Sequence, residues 1–77
     1  DAIVYSQQMQ PLMLIEFKAE SVPLTQQVFD QAAIYNRHLH VPYLMLSNGK
    51  DTIIAEVKET TYQFLNHIPN YSDLLIK

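Results

Sequence analysis

The sequence predicts a small α/β domain built on a mixed sheet, and three observations carry that reading. An apolar hairpin pattern opens the chain, an amphipathic helix follows it, and a second apolar strand returns after the helix. A helix between two strands of one sheet is a βαβ unit, which makes those strands parallel and the crossover right-handed. With 77 residues and no cysteine, the chain is one domain near the size at which an apolar core alone becomes marginal.

Each element has a local reason. Ala2-Ile3-Val4-Tyr5 reads as a strand, Ser6 to Pro11 as a polar turn region, and Leu12 to Lys18 as the returning strand of an antiparallel hairpin. With the turn centred between Gln8 and Met9, residues whose numbers sum to 17 face each other, which sets Asp1 opposite Glu16. Thr25 is a suitable N-cap for a helix running to about Leu39, with Val28, Ala32, Tyr35 and Leu39 on one face and Pro23 and Pro42 outside its ends. Tyr43-Leu44-Met45-Leu46 reads as a buried strand, and Asn48-Gly49, which contains the one glycine, as a turn. Thr52 to Val57 and Thr61 to Leu65 suggest two more strands. Pro69 breaks the tail, and Leu74-Leu75-Ile76 is a segment suited to docking on the core.

The net charge of −3 argues against a broad basic surface for nucleic acid, although carboxylates that hold a metal themselves lower the formal charge. Arg37-His38-Leu39-His40 is the one basic cluster and reads as the cationic end of the helix. No apolar run approaches the roughly 20 residues of a membrane span, and the absence of cysteine fits a reducing, cytoplasmic setting. Asn70-Tyr71-Ser72 matches a glycosylation acceptor by chance in that setting. His38 and His40 point in different directions on a helix end, and His67 stands alone, so none of the three suggests a metal site. Met9, Met13 and Met45 read as turn and core residues. There is no Gly-x-Ser-x-Gly elbow and no phosphate-cradling glycine loop.

Against this pattern, Glu16 and Lys18 are the exception. Side chains at i and i+2 of a strand share a face, so both emerge beside Leu12 and Leu14, while Met13, Ile15 and Phe17 point the other way. Burying charge is costly unless it is paired or holds a metal. Two carboxylates placed opposite each other, Asp1 and Glu16, repel unless a cation or a shared proton relieves them. Hard Mg2+ suits carboxylate oxygens, so the arrangement suggests a metal site with a lysine beside it. The bland alternative is a structural ion-pair group at a strand end, and on spacing alone it outweighs the functional one.

The ordered set of Asp1, Glu16-x-Lys18 and a helical Gln31-x-x-x-Tyr35 resembles the PD-(D/E)XK nuclease superfamily. More closely, Pro11-Leu12-Met13-Leu14-Ile15-Glu16-Phe17-Lys18-Ala19, then Pro23-Leu24-Thr25-Gln26, Phe29-Asp30-Gln31, Tyr35-Asn36, Val41-Pro42-Tyr43-Leu44 and Ser47-Asn48-Gly49, looks like the N-terminal nuclease domain of type I restriction enzyme R subunits. That wider resemblance reverses the odds on the site. It implies a restriction-endonuclease-like core hydrolysing DNA phosphodiesters. Asp1, Glu16 and the main-chain carbonyl of Phe17 would hold Mg2+, with Mn2+ as its substitute, and Lys18 would orient or help deprotonate the attacking water and offset transition-state charge. Gln31 and Tyr35, four apart on one helical face, would support the lysine or contact the DNA backbone. Bland readings stand beside these: Gln31 as a solvated helix residue and Tyr35 as core packing.

The family's core begins with a helix and a strand before the Asp, the helix carrying a further acidic ligand. Residues 1–77 are therefore expected to be a single, N-terminally incomplete domain, with DNA and other restriction-modification subunits as partners and a tendency to self-associate. Met9 stands where a turn glycine is expected, and no Gly-x-x-x-x-Gly-Lys-Ser/Thr loop accompanies the domain, so translocation is not assigned to it. Two other classes stay open: a nuclease-fold module that only binds nucleic acid or protein, and an assembly fragment whose sheet edge pairs with another chain.

Overall fold

The hairpin forms where its alternation and turn chemistry place it. In the computed structural model, which describes residues 2–37, 39–58 and 61–75, β1 (Ala2–Tyr5) and β2 (Pro11–Phe17) pair antiparallel. The pairs Ala2↔Ile15, Ile3↔Leu14 and Val4↔Met13 keep the expected sum of 17, and the ladder then slips to Tyr5↔Pro11 across a bulge. The turn explains the slip. Met9 N–H donates to the Ser6 carbonyl at 3.0 Å and Ser6 N–H to the Gln10 carbonyl at 2.8 Å, while Met9 sits at φ 66°. A turn followed by a left-handed residue adds one residue to one side of a hairpin. The bulge also corrects the expected face of Leu12, which packs with Met13 in one core cluster while Leu14 joins the other.

The next element, α1 (Gln26–Asn36), begins as predicted, with the Thr25 hydroxyl accepting from Val28 N–H at 3.2 Å. Its buried side keeps Ala32, with Val28 and Leu39 packed against the core as expected, but centres on Phe29. Phe29, Ala32 and Asn36 are buried, whereas Tyr35 is 59% exposed. At about 100° per residue, Phe29 heads a stripe through Ala32, Ala33 and Asn36, and the larger ring at 29 takes the centre of the core. The helix also stops before Leu39. Asn36 carbonyl accepts from both Leu39 and His40 N–H, His40 turns left-handed at φ 54°, and the Asn36 amide donates to the Val41 carbonyl at 3.0 Å. Buried at 1% exposure, Asn36 thus ties the helix end to the segment entering the next strand.

That strand, β3 (Tyr43–Ser47), runs parallel to β2 from Met13↔Tyr43 to Phe17↔Ser47. An antiparallel β4 (Thr52–Val57) and a short β5 (Tyr62–Phe64) complete a five-stranded mixed sheet in the order β1-β2-β3-β4-β5. Between β3 and β4, Gly49 takes φ 89°, as the Asn-Gly pair predicts. The tail returns as a single turn, α2 (Tyr71–Leu74), which buries Leu74. Its side chain docks with Leu12, Met13, Tyr43 and Ile54, so the sheet carries apolar groups on both faces, α1 over one and the tail over the other. Of the expected docking segment, Leu75 is half exposed and Ile76 lies outside the described residues.

The short edge strand β5 is held to α1 by rings and by a polar group. Phe29 meets Tyr62 and Phe64 at centroid separations of 4.8 and 5.0 Å. Above them Gln26 Nε2 donates to Asp30 Oδ1 and to the Tyr62 hydroxyl, each at 2.8 Å, and the Tyr62 hydroxyl donates to Asp30 Oδ1. The phenol donor, with the Gln26 amide second, lowers the Asp30 pKa, and the same bond raises that of Tyr62.

Two outcomes are expected from these features. A left-handed backbone costs an L residue about 1–2 kcal/mol, and glycine's greater freedom when unfolded returns about half of that. Met9→Gly should therefore raise stability by about 0.5–1 kcal/mol in denaturant titration. For the polar group, the Tyr62 contribution is full below its ordinary value of 10.0 and is lost as pH rises through its raised folded pKa. The Asp30 contribution is full above its ordinary 3.8 and is lost as pH falls through its lowered one. Ultraviolet titration should show one phenol ionising late, and Tyr62→Phe should abolish that late step and return Asp30 toward its ordinary range.

Candidate active site

The site is assembled at the carboxyl end of the parallel pair. Strand alternation brings Glu16 and Lys18 to one side of β2, and Lys18 Nζ lies 2.8 Å from Glu16 Oε2. Glu16 pairs with Leu46 in the ladder, and Lys18 N–H donates to the Ser47 carbonyl at 2.8 Å, so Lys18 is the first residue past β2 and still pinned to β3. The carboxylate is mostly covered, with its side chain 16% exposed, while the lysine side chain is 34% exposed. The sheet end therefore presents a covered anion and a cation that solvent reaches. In open α/β sheets ligands bind beyond the carboxyl ends of parallel strands, which is where this pair stands.

Asp1 lies outside the described residues. The three described pairs nearest it keep the register that the sequence argument used to set it opposite Glu16. Gln31 and Tyr35 are both exposed on α1, away from the side that Phe29 and Asn36 bury. The partner of the Lys18 ammonium is Glu16. Tyr35 as core packing is overturned, since the turn of α1 toward Phe29 carries it outward.

A bound divalent cation suits the residue types more than the described cluster size. Glu16 supplies hard oxygen donors next to a cation that limits its charge. Among the described residues no group of three His, Asp or Glu comes together, and one carboxylate oxygen of Glu16 is already engaged by Lys18. The donor set thus depends on a second carboxylate, the role the sequence gives to Asp1. Two clefts of the described residues lie elsewhere. One of about 690 Å³ runs between the hairpin turn, His40 and Leu74, and another of about 580 Å³ lies among Asn36, Arg37, Val57 and Lys58. Both are at the opposite end of β3 from Ser47.

Two residues that the sequence reading left unassigned stand close to this site or its supporting helix. Asn48, read only as a turn former, is 5% exposed and donates from Nδ2 to the Val22 carbonyl at 2.8 Å. Asp30 was quoted only within a motif, and its bond to Tyr62 spans 32 positions of sequence that no local pattern reveals.

Comparison with known families gives a match over most of the chain. The family described as type I restriction enzyme R protein N terminus (HSDR_N) matches residues 1–69. No curated protein and no solved structure gives a significant match. Among the described residues no helix is long and apolar enough to cross a membrane.

Proposed function

The chain belongs to the type I restriction enzyme R protein N-terminus family, and we propose that it is a metal-dependent DNA endonuclease module of the PD-(D/E)XK kind, in an R protein or a stand-alone relative. The observation that supports this reading is the Glu16–Lys18 pair at 2.8 Å on one side of β2, at the carboxyl end of the parallel ladder. A nuclease needs an anion there to hold a cation and a cation to meet the phosphate.

Glu16 and Asp1 would be the residues that hold Mg2+, with Mn2+ as its substitute. When bound, the ion supplies Lewis-acid polarisation of the scissile phosphoryl group. Lys18 does the rest of the electrostatic work. Its ammonium has three N–H donors and no acceptor, so it orients the attacking water and offsets negative charge on the phosphoryl oxygens; it takes no proton in that form. Water oxygen bonds to phosphorus as the bond to the leaving strand's oxygen breaks, the water proton passing to solvent and the leaving oxygen taking one from solvent, and the lysine favours that charged transition state over the substrate. Exposed on α1, Gln31 and Tyr35 are assigned to contact with the DNA backbone, the one of their two expected roles that their exposure suits.

The same closed ion pair would also serve a nuclease-fold scaffold that binds nucleic acid or protein without cutting it. One substitution separates them. Lys18→Ala leaves the mostly covered Glu16 carboxylate without its partner and should cost about 1–3 kcal/mol in thermal unfolding. In the intact protein with Mg2+ it should lower DNA cleavage by at least about 100-fold, the scale of losing one transition-state donor. Cleavage at the original rate would make Lys18 structural. DNA binding with no cleavage by the unaltered protein would establish the scaffold.

A further inference from the structure

Asn48 sits in a surface turn and yet is 5% exposed. Three hydrogen bonds account for its burial. Its Nδ2 donates to the Val22 carbonyl at 2.8 Å, and its Oδ1 accepts from the N–H groups of Lys50 at 3.0 Å and Asp51 at 2.8 Å. The backbone closes the same turn, Asn48 N–H donating to the Asp51 carbonyl at 3.2 Å.

Val22 is not an arbitrary partner. Its N–H donates to the Ala19 carbonyl at 2.9 Å, which makes 19–22 a tight turn, and Ala19 follows directly on Lys18. Lys18 N–H in turn donates to the carbonyl of Ser47, the residue before Asn48, at 2.8 Å. The chain from Lys18 to Val22 is therefore fastened at both ends to two adjacent residues, 47 and 48. One fastening is the last rung of the sheet and the other is a side chain.

We propose that Asn48 is the positioning residue of the Glu16–Lys18 site, holding the loop that leaves Lys18 so that its ammonium keeps one place at the sheet end. Asparagine is singled out by chemistry. A carboxylate keeps the two acceptor bonds but has no donor and would set an oxygen against the Val22 carbonyl. Glutamine is one methylene too long for the same reach, and serine has one oxygen for three partners. A buried amide with both ends in use makes a turn that does not slide. The mechanical part of this inference stands on the hydrogen bonds alone, and its catalytic consequence rests on the nuclease reading.

The test uses Asn48→Asp and two readouts. In the unaltered protein, backbone NMR order parameters of residues 19–22 should match those of β3, near about 0.85, and in the variant they should fall toward about 0.6. The Lys50 and Asp51 amides, whose acceptor is kept, should stay protected from hydrogen exchange. With Mg2+ and DNA, the intact variant should lose at least tenfold in kcat with KM within twofold. Mobile residues 19–22 in the unaltered protein would overturn the proposal without any mutant, which covers a variant that does not fold. Equal order in the two proteins would overturn it as well, and so would a loosened loop with unchanged kcat. If the loop loosens as expected but the unaltered protein cleaves no DNA, the clamp stands and the nuclease reading falls.

Discussion

Parallel pairing of β2 with β3 is the constraint on which the rest of the structure depends. Two parallel strands cannot be joined by a turn, so residues 18–42 must cross over the sheet, and the chain spends that crossover on α1. Once α1 lies across the sheet, Phe29 fills the space above Leu44 and Leu46, and these three have no exposed surface. Removing a ring so placed costs about 3–5 kcal/mol, a large part of what a domain of this size has. The second face is thinner, closed by Leu74 from a single helical turn and by Leu65.

The same ladder explains why charges gather where they do. A parallel pair buried on both sides has no place for a carboxylate except at its end, and Glu16 and Lys18 occupy the last residue but one of β2 and the first beyond it. Backbone order at that point comes from the sheet, through the Lys18 bond to Ser47. Side-chain order comes from the ion pair, and the loop is closed by Asn48. Under the proposed reading, a cation beside a covered carboxylate would meet a phosphate; the family of the chain is the type I restriction enzyme R protein N terminus.

Most of the strands were legible because period-2 alternation and turn residues are local signals. Ala2–Tyr5, Tyr43–Ser47 and Thr52–Val57 lie where the apolar runs put them, and the hairpin register followed from the turn centre for three pairs. What failed depended on one residue of slippage or on rotation. The bulge moved Leu12 across the sheet, a change that no alternation count could see because it arises in the left-handed Met9. Four apolar or aromatic residues at 4-3-4 spacing pointed to Val28, Ala32, Tyr35 and Leu39; three of them pack on the core, but the face centres on Phe29 and leaves Tyr35 outside. At the site, Glu16-x-Lys18 was visible because strands put i and i+2 together. The Asn48–Val22 bond joins positions 26 apart and was visible to nothing short of the fold.

Strand order that repeats chain order sets how the molecule is made. β1 with β2, β3 with β4 and β4 with β5 are each neighbours joined by short turns, and such hairpins close in about 1–10 μs. The β2–β3 pairing alone must gather a long segment first, so the entropy of closing residues 18–42 falls on a single step. The β2–β3 pairing is thus the long-range step of this topology, and Phe29, Leu44 and Leu46 are where α1 and β3 meet across it. The Glu16–Lys18 pair stands at the end of that ladder, so the geometry of the site and the closure of the crossover depend on the same strand pairing.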